Sequence, residues 1–274
     1  MVMKRWCFFM RFALFAVIMA LVANCPYMAQ AAEEGDYDVI VVGAGTGGVA
    51  AAVQAGRLGA RVALFEETNV LGGQMVASAV STMDDMYGVR WGIYGEFLDA
   101  ILKHYASLGK SVGTCYWTPI TVAFEPTVAD YVLAQMIKDV RDGKTTRDGK
   151  PGRLDVFFKA KVQKVLKSSD GKSVTGIVAD VNGKKVVCNS KILIDATEYG
   201  DLLPLAGAGY RVGRNVVDGE FSKLDEDARV QDITWVAVIK YYPGGVPDEL
   251  KVKTPPPGYD DMRETFKSYV ARDG

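Results

Sequence analysis

The chain has 274 residues, 49% hydrophobic and 24% charged, enough apolar material for one large domain or a domain with a smaller insertion. Its formal net charge is −1 and no run of lysine and arginine stands out, which excludes nucleic acid and an anionic lipid surface as partners. Composition therefore places it among ordinary globular proteins.

Before residue 32 the only charges are Lys4, Arg5 and Arg11, and Phe12 to Ala23 is an uncharged apolar run. Ala29-Gln30-Ala31 then supplies the small residues that signal peptidase requires, so residues 1–31 are expected to be a secretory signal. The mature protein would be periplasmic or extracellular, with no stable membrane association. A retained membrane anchor is the alternative. Against it, Asn24, Pro26 and Gln30 interrupt the run, and spanning needs about 20 apolar residues. A lipoprotein signal at Cys25 would want a small residue where Asn24 stands.

Cleavage lowers the 32 basic residues to 29, against 33 acidic ones, and removes Cys7 and Cys25. Cys115 and Cys188 remain, open between a disulfide and two buried thiols. With His104 as the single histidine, they cannot build an iron–sulfur or zinc site.

Tyr37 to Val42 is a short apolar run suited to a strand buried on both faces. It leads into Gly43-Ala44-Gly45-Thr46-Gly47-Gly48, then into a small-residue helix from Val49 to Leu58 that stops at Gly59. A second strand, Arg61 to Phe65, ends at Glu66 and Glu67, which closes a βαβ unit.

The next stretch is not another βαβ repeat. Leu71-Gly72-Gly73-Gln74 is a turn, and residues 75–142 read as a helical insertion. Ile93, Phe97, Ile101 and Tyr105 mark the apolar face of one helix; Val128, Val132, Met136 and Val140 mark a second, opening at Pro126. A polar loop covers 143–152. Strands are expected at Val156–Val165, Ser173–Val181 and Lys184–Cys188, joined by Asp170-Gly171 and Asn182-Gly183, pairs that favour tight hairpins. Ile192-Leu193-Ile194 is buried-strand material that runs into Asp195-Ala196-Thr197-Glu198-Tyr199-Gly200-Asp201, and a further strand is expected at Thr234–Tyr241.

The three spaced glycines each have a physical task in a dinucleotide site. Gly43 permits the tight turn, Gly45 lets a pyrophosphate approach the backbone, and Gly48 lets helix and strand pack closely. Ala52 and Gly59 add small residues where helix and strand must touch. The helix start offers free N–H groups to phosphate. Glu66 is spaced to accept hydrogen bonds from a ribose diol. That pattern suits NAD or FAD, and the continuation separates them: a nicotinamide dehydrogenase would proceed to another βα unit. No close cysteine pair follows, which argues against a dithiol–disulfide reductase.

On these motifs the chain resembles the FAD-dependent oxidoreductases of the two-dinucleotide-binding-domain type, most closely those related to the heterodisulfide reductase A flavoproteins, from Tyr37 to about Tyr242. The resemblance implies an α/β fold: a Rossmann-like FAD-binding domain over residues 36–202 with a β-hairpin layer, and the beginning of a substrate or cap domain over 203–274. It implies that Gly72-Gly73 lie along the flavin end, with Gln74 and Met75 lining it. Val162 would meet the adenine through its backbone, and Ala196-Thr197 would close over the dinucleotide. Ala206 to Gly213 matches the usual continuation. Such flavoproteins return to the flavin with a last glycine-containing strand and helix, which nothing after Gly213 supplies. A chain truncated at its C-terminus is therefore expected.

The expected function is FAD-dependent oxidation of a small organic substrate with an unknown electron acceptor. An NAD-dependent dehydrogenase and a non-catalytic dinucleotide-binding remnant are the alternatives. No catalytic base is assigned. His104 reads as a boundary histidine, Asp84-Asp85 and Arg90-Trp91 as a solvated loop, and Tyr116 and Trp117 as packing residues.

Overall fold

The computed structural model describes residues 35–83, 88, 90–115, 121–210, 236 and 240–263. The signal segment, Asp84-Asp85, Tyr116-Trp117 and most of Thr234–Tyr241 lie outside the described residues. Two compact units divide the chain at 236/237. In the second, the described residues are mainly exposed and include a 3-10 turn at Asp248–Leu250 and helical residues at 259–263.

In the first unit, β1 (Gly35–Val42), β2 (Val62–Glu66), β5 (Leu154–Phe158) and β8 (Lys184–Asp195) form the parallel part of a six-stranded sheet. Its order is β5-β2-β1-β8-β7-β6, where β6 (Ala160–Lys167) and β7 (Val174–Val181) join antiparallel. A separate two-stranded ribbon pairs β3 (Gly113–Thr114) with β4 (Val122–Ala123). The helices are α1 (Thr46–Arg57), α2 (Gly92–Ser107), α3 (Pro126–Arg141) and the short α4 (Leu202–Ala206).

Alternation along the strands divides the core into two layers. Val39, Val41, Val62, Leu64, Leu154 and Val156 face the helices, packing with Ala52, Val53, Ile101 and Val140. Ile40, Val42, Ala63, Phe65 and Phe157 face the other way, against Val165, Ile177, Ala179, Val186 and Cys188 of the antiparallel strands. There Phe65 stacks on Phe157 with ring centroids 4.7 Å apart, and burying one such ring contributes about 1.5–3 kcal/mol. The expected β-hairpin layer is thus real, and β8 belongs to both layers.

Several boundaries differ from the sequence reading. The strand expected over Val156–Val165 is two strands, because Lys159 adopts φ +50 and redirects the chain from the edge of the parallel sheet into the covering layer. Conversely, Lys184–Cys188 and Ile192–Ile194 form one strand of 12 residues. Its polar middle is held at the sheet: Asn189 Nδ2 donates to Asp36 Oδ1 at 3.0 Å and Lys191 Nζ to Asp38 Oδ1 at 2.7 Å. Asn182-Gly183 forms the expected two-residue hairpin, with φ +53 and +80 between paired Val181 and Lys184. Asp170-Gly171 instead sits within a longer loop that Ser168 closes by accepting from Ser173 N at 3.1 Å.

Helix α1 starts at Thr46 and takes the glycines into its first turn. Ala52 is buried as expected, but a Cβ on Gly59 would meet nothing within 4 Å, and with φ +91 it terminates the helix. The close contact is made by Gly56, where a Cβ would stand 2.8 Å from Val140 Cγ1 on α3. Both amphipathic faces read in the insertion are correct, with Phe97, Ile101, Tyr105, Val132, Met136 and Val140 buried.

Candidate functional site

The site is the turn between β1 and α1. Gly43 has φ +93, and a Cβ on it would stand 2.3 Å from the Ala196 carbonyl oxygen at the exit of β8. A Cβ on Gly48 would lie 1.8 Å from the Gly43 carbonyl oxygen, so only glycine lets the helix start this close to the strand end. Val49 N donates to Gly45 O at 3.0 Å, the first bond of the helical ladder. The amides of Thr46, Gly47 and Gly48 precede that ladder and form the positive end of α1, with Thr46 and Gly47 exposed.

Three surrounding segments hold the turn. Gly43 N donates to Phe65 O at 2.8 Å and Ala44 N to Glu66 Oε2 at 2.7 Å, both on β2. Ala196 N donates to Val42 O at 2.8 Å. Gly72 N donates to Ala44 O at 2.8 Å, and a Cβ on Gly73 would stand 2.9 Å from Gly45 Cα. The second glycine turn, far along the sequence from the first, is therefore seated directly on it. Leu71 N donates to Asp130 Oδ1 at 2.8 Å, anchoring that second turn to α3.

Glu66 is buried, and both its oxygens take backbone amides: Oε2 from Ala44 and Oε1 from Thr68 N at 2.8 Å. It braces the turn as well as closing β2, and each oxygen keeps a second lone pair for a ribose hydroxyl. Glu67 beside it is exposed. Gln74 is exposed on the 3-10 turn Gly73–Met75, whereas Met75, expected along the flavin, is packed into the helix-side core. Val162 lies on β6 at a bulge, where pairing steps from Val162↔Ala179 to Lys164↔Val178. That strand is tied to the end of β2 by Lys159 N donating to Thr68 O at 2.9 Å.

Past β8 the chain is ordered by Asp195. Its Oδ1 accepts from Thr197 N at 3.0 Å and Thr197 Oγ1 at 2.8 Å, and its Oδ2 from Leu202 N at 3.0 Å. Thr197 Oγ1 accepts from Asp201 N at 2.8 Å. The sequence reading named Asp195 and Glu198 within the Asp195 to Asp201 segment but gave neither a role of its own; the Glu198 carboxylate lies against Gly45 and Gly73.

The other candidates are structural. His104 is half-buried against Tyr105 and Tyr131, and Trp91 is exposed ahead of α2. Cys115 and Cys188 are not joined in a disulfide; the first is half-buried and the second buried. Buried Tyr37 donates to Asp155 Oδ2 at 3.0 Å, and Arg153 Nε holds the same oxygen at 3.0 Å. Burial, followed by the charge of Asp155 and this hydrogen bond, pushes the Tyr37 phenol above its ordinary value.

A strand-to-helix glycine turn, an acid closing the second strand and a parallel sheet with a covering β layer define a Rossmann-like dinucleotide-binding domain. The profile of the FAD dependent oxidoreductase family matches residues 38–272, and the chain belongs to that family. Its cofactor is FAD, and the glycine cradle, with no room for a Cβ at Gly43 or Gly48, fits a dinucleotide backbone.

Solved structures similar to this chain include a geranylgeranyl bacteriochlorophyll reductase-like protein of Thermoplasma acidophilum (19% identity, TM-score 0.44), over 64% of this chain and 42% of that one. THI4 of Thermovibrio ammonificans is similar over 73% of this chain and 70% of its own, at 20% identity and TM-score 0.44. Sdh1 of Mycobacterium smegmatis is similar at 17% identity and TM-score 0.40, over 60% of this chain and 34% of its own. The chain thus spans less than half the length of the first and third.

Proposed function

We propose that this chain binds FAD at the paired glycine turns and serves an oxidoreductase acting on a small organic molecule. The observation that carries this reading is the seating of Gly72-Gly73 on Gly43–Gly48, with Gly72 N donating to Ala44 O at 2.8 Å. A single glycine turn would serve any dinucleotide. A second one resting on it extends the surface beyond the pyrophosphate, toward where a flavin needs backbone contact.

When bound, FAD supplies hydride or electron acceptance. The chain's own residues hold it: the leading amides of α1 take the pyrophosphate, and Glu66, with Glu67 at its side, takes the ribose. Val162 borders the adenine by its backbone, Gly72, Gly73 and Gln74 run toward the flavin, and Ala196-Thr197 cover the cofactor. In this reading residues 36–202 are the cofactor domain and 203–274 begin the substrate portion. Kinship with the heterodisulfide reductase A flavoproteins, the finer assignment, rests on Gly72-Gly73 and on Asp195 to Asp201.

Titrating the purified protein with FAD and with NAD side by side tests the reading. Micromolar or tighter FAD binding with NAD much weaker is expected; a preference for NAD would return the dehydrogenase alternative. Export is proposed separately, on Lys4-Arg5, the apolar run and Ala29-Gln30-Ala31. Sequencing the mature N-terminus should find Ala32 first, and an intact Met1 would favour the membrane anchor.

A further inference from the structure

We propose that Glu198 is an internal competitor of the cofactor: its carboxylate holds the anion seat between the two glycine turns and must swing out before phosphate enters. The inference rests on the dinucleotide reading above. One carboxylate oxygen, Oε1, lies 3.3 Å from the position a Cβ would take on Gly45 and 2.7 Å from that on Gly73. These glycines belong to the two separate turns, so the carboxylate sits in the notch where they meet.

Electrostatics explains its place. The first turn of α1 carries no acidic side chain of its own, and Gly45 at the N-cap has no side chain to satisfy the leading amides. An anion is stabilised there, and the Glu198 carboxylate lies beside the N-cap glycine. A phosphate brought to the leading amides of α1 meets a like charge beside the N-cap, and the two cannot share the notch.

The neighbouring backbone makes this a device with one moving part. On one side of Glu198, Thr197 is bonded to Asp195 through both its amide and its hydroxyl. On the other, Asp201 N donates to Thr197 Oγ1 and Leu202 N to Asp195 Oδ2. The loop on both sides is thus pinned, while the exposed Glu198 side chain is free to turn into solvent.

The test compares wild type, Glu198→Gln and Glu198→Ala, with Asp99→Asn on the exposed face of α2 as a control for net charge. Each is titrated with FAD, read by flavin fluorescence, and with inorganic pyrophosphate, read by the backbone amide shifts of Gly47 and Gly48. Both Glu198 variants should bind each ligand roughly 2–30-fold more tightly than wild type, the range a charge at a helix terminus supports. Asp99→Asn should match wild type. Equal responses in wild type and the Glu198 variants, including none in any of them, overturn the proposal. A gap seen with pyrophosphate while FAD binds to none supports the competitor role and removes the FAD reading instead.

Discussion

The carboxylate of Glu66 accepts the amide of Ala44 at 2.7 Å, joining the end of β2 to the turn that leaves β1. Through its other oxygen it takes Thr68 N at 2.8 Å, so a single buried side chain satisfies two backbone donors. Glu66→Ala leaves both amides unpaired. It should cost about 2–6 kcal/mol of stability, since each buried unsatisfied donor costs about 1–3 kcal/mol. Glu66→Gln keeps one acceptor oxygen and should lose about half as much. Urea unfolding of the three proteins checks this; an unchanged midpoint in Glu66→Ala would mean that the acid is not bracing the turn.

Gly48 and Gly56 sit on one helix but answer to different constraints. At Gly48 a Cβ would stand 1.8 Å from backbone, at Gly56 2.8 Å from the Val140 side chain. Gly48→Ala should therefore deform the turn and abolish cofactor binding. Gly56→Ala should overpack the α1–α3 contact at a cost of about 1–3 kcal/mol while leaving FAD affinity within about threefold. Parallel thermal melts and FAD titrations separate the two, and equal loss of binding would contradict the division.

Tyr37 predicts an alkaline dependence. Its folded value is raised by burial and by Asp155, so the stability it contributes is complete below the unfolded tyrosine value near about pH 10 and is lost as pH rises further. The unfolding midpoint of wild type should fall between about pH 9 and about pH 11, and part of that fall should be missing in Tyr37→Phe. Identical pH profiles would show that the phenol does not hold its proton against the solvent.

Much of this was legible in the sequence, because glycine spacing and hydrophobic period are backbone and packing requirements in themselves. Gly43, Gly45, Gly48 and Glu66 announced the first turn, and the faces of α2 and α3 followed from residues at spacings of four. What escaped reading depends on tertiary context. Nothing in Lys159 signals φ +50, since its conformation is set by bonds to Thr68 and Asn182. The polar residues Asn189 and Lys191 hid the continuity of β8 because their partners, Asp36 and Asp38, lie on another strand. Glu198 escaped because sequence does not say where an exposed side chain comes to rest.

The turn between β7 and β8 offers a local check. Asn182 holds φ +53, which asparagine tolerates better than alanine. Asn182→Ala should cost about 1 kcal/mol and Asn182→Gly little or nothing. Chemical denaturation resolves that difference, and equal stability of the two variants would deny the hairpin its strained geometry.

In the proposed reading the glycine turn between β1 and α1 holds FAD. The direct measurement is the flavin absorbance that co-elutes with the protein on gel filtration after incubation with FAD, for wild type and Gly48→Ala. Bound flavin in wild type and none in a folded Gly48→Ala is the predicted result. Equal retention by both proteins, or none by wild type, would contradict it.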